Sequence, residues 1–423
     1  MRIKGQVPVE RTLDNSILLL KEGYNFIQNR CEEYQTDIFE TRLLGKKAIC
    51  MKGEEAARMF YNTDLFQRSG MIPKRIQKSL FGENAIQTLD GSLHEHRKVL
   101  FLSLMTPLKI EKLSKIYRAF WQRKLEGWRT SQHVILFEEA QEILCRAVCE
   151  WSGVPLPEQD VTRRAEDFIS MVDAFGAVGP RYQKGKKARA RAEEWIMEII
   201  TEIRNGERKV PEETAIHAMA WHRDASGSLL DVRMASIELI NVLRPVVANA
   251  YFLAFAPLAL HDFPETQQKL TGQRKNKYAE WFCQEVRRFY PFAPFLGAGV
   301  RKDFMWKDYH FKAGQMVLLD LYGTNHDPRL WTDPEIFKPE RFENWSGGLF
   351  DLIPQGGGDP RKGHRCPGEG ITLEIMKISV ELLVNEMEYE VPNQDLHYSL
   401  ARMPSLIESG FVMTDVQKKK TYL

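Results

Sequence analysis

Apolar residues recur every three or four positions along most of this chain, the spacing that lines one face of an α-helix. Between residues 92 and 204 this pattern predicts several amphipathic helices. The longest helical candidate covers 229–260, and two more helices are predicted at 276–289 and 369–387. The hydrophobic pattern therefore predicts a chain in which helix predominates.

Strand patterns occupy two shorter regions of the sequence. Apolar and polar residues alternate between 34 and 51 around Gly45, which predicts a β-hairpin. After residue 290, prolines and glycines separate short apolar runs such as 316–320, and these runs suit strands. A glycine-rich loop, 355–368, then precedes the last predicted helix. We therefore predict a mainly α fold with minor β structure.

Composition places the chain among globular proteins without a strong charge preference. Apolar residues make up 43% and charged residues 27% of its 423 residues. Lys and Arg number 59 against 57 Asp and Glu, a net charge of +2, so no nucleic-acid partner is expected. The length exceeds the roughly 250–300 residues at which cores usually divide, but a core built around a large ligand can stay whole. We predict one domain spanning 1–423.

The sequence favours a soluble protein of the reducing cytoplasm. Its first eight residues contain no apolar run, so no secretory signal is predicted. The stretch 234–260 is apolar enough to raise the question of a membrane span, but Glu238 and Arg244 would each cost a few kcal/mol in lipid. A buried helix and no membrane anchor are therefore predicted. The six cysteines show no paired framework, which fits a cytoplasmic protein.

The most informative segment is the glycine-rich loop Gln355-Gly-Gly-Gly-Asp-Pro-Arg-Lys-Gly-His-Arg-Cys366, with the Pro-Gly-Glu that follows it. A cysteine thiolate that binds haem iron needs a loop close to the porphyrin, backbone N–H donors to the sulfur, and a helix N-terminus beyond it. Glycines supply the first, and Pro367 with Glu369 indicates the helix start. Alone, such a cysteine is more often a buried free thiol in a turn.

Two motifs upstream of Cys366 favour a haem ligand over a free thiol. Glu285 and Arg288 are three residues apart, so they face each other on one side of a predicted helix. Arg341 lies in Pro-Glu-Arg-Phe, 339–342, and can complete a buried charge triad whose members satisfy one another. Each motif is common alone. In this order, followed by a glycine-rich cysteine loop and a helix, they favour the haem-thiolate interpretation.

In these motifs the chain resembles the cytochrome P450 superfamily along its whole length. The resemblance implies the cytochrome P450 fold, with haem b buried between a long central helix and the loop of Cys366, its axial ligand. It also implies a structural triad of Glu285, Arg288 and Arg341. A helix start at 90–98 would place cationic or donor groups near the haem propionates. The further haem-binding residues that the resemblance implies are Arg68, His94, Lys98, His364 and Arg365.

The chain departs from the superfamily at two places. Seven residues before Cys366, where the superfamily usually has Phe, it has Asp359, which implies a more open loop over the sulfur. In the long central helix, the usual pair of a carboxylate and a hydroxyl is replaced by Arg244-Pro245. Proline cannot donate a backbone hydrogen bond and opens space in a helix. An arginine on an apolar helix is costly unless it meets an anion.

Two interpretations of Arg244 follow. Either it forms an internal salt bridge, for instance with Glu238 six residues away, or it binds the carboxylate of an amphiphilic substrate. Guanidinium matches a carboxylate bidentately and stays charged at neutral pH. A fatty acid held in this way would bring its own acid–base group, which takes a proton from hydrogen peroxide and returns it during O–O cleavage. We favour the second interpretation.

Within the superfamily, the chain is most similar to bacterial fatty-acid peroxygenases. The similarity lies in Arg244-Pro245, the extended cysteine loop, and the segments 171–180 and 398–405. It implies hydroxylation of long-chain fatty acids at the α and β carbons by hydrogen peroxide, with no obligatory redox partner. Gln87, predicted to be catalytic with Arg244 and Pro245, stands where alkene-forming members carry His, which favours hydroxylation. The predicted walls of the alkyl channel are Leu80, Phe81, Val172, Phe175, Phe292 and Ala293.

Two other functions remain compatible with the cysteine loop. A conventional monooxygenase would take electrons from a ferredoxin or flavoprotein, but Arg244-Pro245 leaves such an enzyme without the usual proton relay. A non-catalytic haem sensor of gas or fatty acid would bind ligands without turnover. Product formation with peroxide alone separates the three functions.

Overall fold

The computed structural model describes residues 7–419. Residues 1–6, on which the prediction about a secretory signal largely rests, lie outside that range. The helices of the described range are α1 (Ser16–Glu22), α2 (Asn25–Tyr34), α3 (Glu54–Phe60), α4 (Lys74–Ile76), α5 (Gly91–Leu104), α6 (Pro107–Trp128), α7 (Leu136–Ser152), α8 (Val161–Asp173), α9 (Gly179–Arg204), α10 (Ala215–Ala220), α11 (Val232–Val247), α12 (Ala250–Asp262), α13 (Glu265–Thr271), α14 (Lys275–Phe289), α15 (Leu321–Asn325) and α16 (Glu369–Glu381).

Strands form a minor part of the fold, as predicted. They are β1 (Ile38–Leu43), β2 (Lys46–Met51), β3 (Phe66–Gln67), β4 (Val134–Ile135), β5 (Phe295–Val300), β6 (Phe304–Trp306), β7 (Tyr309–Phe311), β8 (Met316–Asp320), β9 (Met387–Glu390) and β10 (Val412–Lys418). The largest sheet has the order β1-β2-β8-β5-β3, and smaller sheets join β4-β10-β9 and β6-β7. The predicted hairpin is confirmed, because β1 and β2 pair antiparallel from Ile38↔Met51 to Leu43↔Lys46.

Helix α11 runs through the middle of the helical core. Its start is capped by Asp231, whose side chain accepts a hydrogen bond from the backbone N–H of Met234 at 2.9 Å. Almost every side chain from Ala235 to Val247 is buried, since α7, α8 and α9 pack around it. A helix covered on all sides can be apolar all round. The polar residues that α11 does carry are therefore buried, and each needs a partner.

The segment 229–260, predicted as one helix, is divided in two at residues 248–249. Pro245 weakens α11 before this point, because it has no N–H to donate to the carbonyl of Asn241, but the helix continues to Val247. The side-chain amide of Asn249 donates to the carbonyls of Pro245 at 3.3 Å and Val246 at 3.0 Å, and so competes with the backbone for these acceptors. The prediction of a single helix was wrong at this point.

The region Val232–Asp262 is long and apolar enough to cross a membrane by length and composition. Within the protein, 94% of its most apolar stretch is buried. Its hydrophobicity is thus already covered by neighbouring helices, as the sequence predicted for a core helix.

The predicted charge triad is confirmed, and it joins α14 to the short helical turn 339–342. Arg288 donates to Glu285 through Nε at 2.7 Å and Nη2 at 2.9 Å, and Nε of Arg341 donates to the same carboxylate at 3.0 Å. The backbone N–H of Lys338 adds a fourth bond at 2.8 Å. Because the carboxylate is fully buried, these four donors are what makes its charge tolerable.

The last predicted helix is confirmed almost to its end. Helix α16 begins at Glu369, as expected, and its α-helical part ends at Glu381. Residues 382–386 continue it as one wider π-helical turn, and the chain then enters β9, which pairs with β10. Of the predicted residues, only Met387 belongs to the sheet.

Candidate active site

A cavity of about 310 Å³ lies between α11 and the loop that carries Cys366. Segments 80–87, 172–175 and 292–296 close its remaining sides. The fold brings to this cavity every site residue predicted from the sequence except Arg68. These residues are Leu80, Phe81, Gln87, His94, Lys98, Val172, Phe175, Arg244, Pro245, Phe292, Ala293, His364, Arg365 and Cys366.

Cys366 lies three residues before α16, so its sulfur is close to a helix N-terminus. Its backbone N–H donates to the carbonyl of Gln355 at 3.3 Å, which closes the base of the loop. Burial raises the pKa of the Cys366 thiol, and the backbone N–H of Gly368 opposes that shift. A bound metal cation would favour the thiolate. The other five cysteines are buried in the core and do not line the cavity.

A network of charges ties the cysteine loop to α14 and α16. Glu369 accepts from Arg365 Nε at 2.7 Å and also pairs with the fully buried Arg287. Arg287 donates further to the side chain of Gln355 at 3.0 Å. Arg287 was not predicted as a site residue, although it stands directly before Arg288 in the motif. The network holds the loop in place, so it determines where the sulfur of Cys366 points.

Two buried cations near the loop have no carboxylate partner among residues 7–419. Lys98 donates from Nζ to the carbonyls of Gly363 at 3.0 Å and Arg365 at 2.6 Å, and burial lowers its pKa to about 8. The guanidinium of Arg68 lies over the ring of Phe60 at 4.3 Å and does not line the cavity. Buried cations of this kind are stabilised by an anion.

The imidazole rings of His94 and His364 lie next to each other at the cavity, with centroids 4.1 Å apart. Nε2 of His364 is 3.5 Å from the carboxylate of Asp90. Burial lowers the pKa of His94 to about 3, and the neighbouring His364 contributes to this shift. Although burial raises the pKa of Asp90, hydrogen bonds from His364 and from two backbone N–H groups lower it to about 2. Asp90 is therefore an anion that orients His364.

These residues fit a haem. The cavity offers a thiol at a helix N-terminus on one side and a largely apolar helix on the other, and near the cysteine loop it carries Lys98, a buried cation that suits an anionic propionate. Cys366 would hold the iron, and Lys98, His94, His364 and Arg365 would face the edge of the macrocycle.

Arg244 lies on the α11 side of the same cavity and is 7% exposed. Among the described residues it makes one hydrogen bond, from Nη2 to the side-chain oxygen of Asn241 at 3.4 Å, and its Nε has no partner. Burial, together with the nearby charge of Arg189, lowers the pKa of Arg244 to about 9, so it is still a cation at neutral pH. The cavity therefore contains an uncompensated guanidinium.

The alternative that Arg244 pairs with Glu238 is wrong. The carboxylate of Glu238 instead pairs with Arg97 of α5 and accepts from the backbone N–H of Ile86 at 2.9 Å. Glu238 precedes Arg244 by six residues, which places the two on different faces of α11. Arg97 satisfies Glu238 from outside the cavity, so Arg244 remains available to a ligand.

Asn241 connects α11 to the wall segment 80–87, and the sequence analysis missed it. Its side-chain nitrogen donates to the carbonyl of Phe81 at 2.8 Å and lies 3.5 Å from the side-chain oxygen of Gln87. Its oxygen accepts the bond from Arg244. The spacing of Asn241 and Arg244, three residues apart on an otherwise apolar helix, was a visible sign that both face one site.

Apolar side chains form much of the cavity wall. Phe292 stacks on Phe252 with ring centroids 4.5 Å apart, Phe175 lies 6.0 Å from Phe295, and the ring of Phe81 lies 5.9 Å from the guanidinium of Arg244. The carbonyl of Leu80 accepts a 3.0 Å bond from the buried Arg189, which attaches that wall to α9. One guanidinium among apolar walls suits a ligand with an anionic head and an apolar body.

Comparison with known proteins agrees with this geometry. The family model described as Cytochrome P450 matches residues 265–416. A curated relative from Synechocystis sp., cytochrome P450 120, is 25% identical, and the match covers 93% of this chain and 92% of the relative.

Two solved structures are more similar. Cytochrome P450EX alpha (CYP152N1) with myristic acid is 44% identical with a TM-score of 0.94, and the match covers 98% of this chain and all of the other. A variant of cytochrome P450 OleT in complex with arachidonic acid is 39% identical with a TM-score of 0.96, over 99% of this chain and all of the other. The chain therefore belongs to the cytochrome P450 family, as a haem-thiolate fatty-acid peroxygenase of the CYP152 group.

Proposed function

We propose that this protein hydroxylates long-chain fatty acids at the α and β carbons with hydrogen peroxide, and that Arg244 binds the substrate carboxylate. The observation that carries the proposal is the buried guanidinium of Arg244, which has no carboxylate partner within the described part of the chain and lines the same cavity as Cys366. A buried cation is costly unless an anion meets it. The fatty-acid ligands of the two similar structures support this choice of anion.

Binding by Arg244 determines which carbons are presented for reaction. A bidentate contact would fix both oxygens of the carboxylate, and so would hold the carbons next to it in the cavity that Arg244 shares with Cys366. Asn241 restricts the guanidinium from one side. The aromatic walls around Phe81 and Phe175 would hold the alkyl chain and exclude water from the cavity.

The bound substrate also supplies an acid–base group. A haem held by Cys366 would contribute the redox chemistry, which is reduction of peroxide and insertion of oxygen into a C–H bond. The carboxylate at Arg244 would accept a proton from peroxide and return it to the departing oxygen. α11 itself offers no free carboxylate for this role, because Glu238 is taken up by Arg97 and Ile86.

Gln87 bears on the product. Its side chain lines the cavity beside Asn241, and a neutral amide cannot deliver a proton as an imidazolium can. We infer that hydroxylation predominates and that decarboxylation to terminal alkenes is minor.

The decisive experiment is turnover of a saturated long-chain acid with peroxide alone, followed by gas chromatography. Arg244→Ala should lower kcat/KM by about a hundredfold or more, since removal of one partner of a buried charge pair costs about 3 kcal/mol or more. In the wild type, a short carboxylic acid bound at Arg244 should allow oxidation of a second substrate that itself lacks a carboxylate. The matched control is Arg129→Ala, at an exposed site. Unchanged turnover by Arg244→Ala would refute the proposal.

The same assay tests whether a redox partner is needed. We also propose haem b as the cofactor, a cytoplasmic location, and no need for a nucleic acid or a membrane anchor. Product from NADPH with a reductase, but not from peroxide, would indicate a conventional monooxygenase instead. Fatty-acid binding without any product would indicate a sensor.

A further inference from the structure

Helix α1 has an unusual surface. Its sequence includes Ile17-Leu-Leu-Leu20, four apolar residues in a row, yet none of its residues is buried. Ile17 is 69% exposed, and Leu13, one turn before it, is 93% exposed. Leu19 packs against the core beneath the helix, and Leu20 is half-buried. Ile17 and Leu18 face outward, together with Leu13.

The tip of the β1–β2 hairpin extends this apolar surface. The backbone N–H of Leu44 donates to the hydroxyl of Ser16 at 2.8 Å, and that of Gly45 donates to Asp14 at 2.6 Å. Leu44 is itself 59% exposed. We name these neighbouring apolar residues the α1 surface, which consists of Leu13, Ile17, Leu18 and Leu44.

The charges around the α1 surface are predominantly positive. Two nearby acidic groups, Glu10 and Glu22, both pair with Arg30, whereas Asp14 is an exposed anion that accepts two backbone N–H bonds. Four exposed cations have no ion pair within residues 7–419. These cations are Arg11, Lys21, Arg42 and Lys46.

The end of α1 contacts the wall of the fatty-acid cavity. The backbone N–H of Tyr24 donates to the carbonyl of Leu400 at 2.9 Å, and its hydroxyl donates to the carbonyl of Phe292 at 2.6 Å. Phe292 lines the cavity. At Gly23, with φ of +56°, a Cβ atom would lie 2.0 Å from the carbonyl oxygen of Leu400, so only glycine permits this contact. α1 is thus fastened to the structure that encloses the substrate.

We propose that the α1 surface binds an anionic lipid membrane from its surface. Apolar side chains would enter the boundary between headgroups and acyl chains, while the surrounding cations meet lipid phosphates. A second copy of the chain fits less well, since a symmetric contact would bring the same unpaired cations together. The proposal goes beyond the fatty-acid chemistry and does not depend on it. If the α1 surface binds a membrane and the cavity binds fatty acids, then the cavity wall at Phe292 is attached to the element that contacts the lipid.

The test is sedimentation of the full-length, haem-loaded protein with vesicles of phosphatidylglycerol and phosphatidylcholine in equal parts. Wild type should sediment with these vesicles and much less with phosphatidylcholine alone. Leu13→Ser and Ile17→Ser should each lower the partition coefficient by about tenfold, from the apolar surface no longer buried. Lys21→Glu with Lys46→Glu should lower it by more than tenfold, since each cation contributes about fivefold near an anionic surface.

Two matched controls distinguish binding through the α1 surface from nonspecific binding to vesicles. Leu108→Ser changes another strongly exposed leucine, on α6, and Lys275→Glu changes an exposed lysine at the start of α14. Both should bind as wild type does. The proposal is overturned if wild type does not sediment, if the controls lose as much binding as the α1 variants, or if light scattering shows a dimer that Ile17→Ser dissociates. Peroxide turnover of a dispersed fatty acid should be unchanged in all variants, which keeps this test separate from that of the proposed function.

Discussion

Arg244 and Asn241 lie one turn apart on α11, with Nη2 of the arginine 3.4 Å from the side-chain oxygen of the asparagine. The same amide holds the carbonyl of Phe81 at 2.8 Å. One side chain therefore positions both the cation at the head of the cavity and a wall of its apolar part. Neither contact is with α11 backbone, so the asparagine serves the cavity and not the helix.

Asn241→Ala should weaken substrate binding more than it slows the chemical step. Loss of the bonds to Phe81 and Arg244 removes about 1–1.5 kcal/mol, so KM for a long-chain acid should rise by about tenfold with a smaller change in kcat. Steady-state kinetics with peroxide measures both constants. Asn205→Ala, at the exposed end of α9, is the control and should leave both unchanged. Equal KM values for Asn241→Ala and wild type would contradict the assigned role.

The buried pair of Glu238 and Arg97 should show strong coupling in stability. Glu238→Leu or Arg97→Leu alone leaves one buried charge without its partner and should lower the free energy of unfolding by about 3 kcal/mol or more. The double variant should cost clearly less than the sum of the two. Urea unfolding of the four proteins gives the coupling energy. Additive losses would mean that the two charges do not depend on each other.

Gln87→His should raise the fraction of terminal alkene among the products. The imidazole can donate a proton at this position, where the amide of Gln87 cannot. Gas chromatography of products from peroxide and a saturated acid measures the ratio of alkene to hydroxy acid. Gln87→Asn keeps the amide and should keep the wild-type ratio. An unchanged ratio in Gln87→His would show that this position does not control the partition.

Asp320 should make the fold less stable as pH rises through the acidic range. Burial raises the pKa of its carboxyl to about 7, although a hydrogen bond from Gly323 opposes the shift, and one oxygen has no partner. The unfolded chain releases this proton near pH 3.8, so between pH 3.8 and about 7 the folded state binds more protons. Stability from this group is complete at the lower pH and is lost progressively towards the higher one, by up to about 4 kcal/mol.

Asp320→Asn removes that dependence, because an amide can still accept from Gly323 but does not ionise. The difference in free energy of unfolding between Asp320→Asn and wild type should therefore move in favour of the variant as pH increases from 4 to 7. Denaturant unfolding at several pH values measures it, with the exposed Asp64→Asn as control. A difference that is constant with pH would show that the Asp320 carboxyl is already ionised in the folded state.

The sequence by itself determined the features of this protein that depend on residues close together along the chain. The loop ending at Cys366, the start of α16 at Glu369, the pair of Glu285 and Arg288, and the β1–β2 hairpin all follow from local spacing, whereas Arg341 reaches Glu285 across 56 positions. Their geometry is set by a few neighbouring φ/ψ angles and by helix periodicity, so pattern alone could predict them.

Only the tertiary structure decided which partners the buried polar side chains have. Glu238 meets Arg97 across 141 positions of sequence, and Asn241 reaches Phe81 across 160. The break at 248–249 depends on a side chain competing with backbone donors, which hydrophobic periodicity does not show. Long-range pairing depends on how α5, α11 and the 80–87 segment pack together. For that reason the sequence could name Arg244 as a site residue, but only the fold shows that it has no carboxylate partner among residues 7–419.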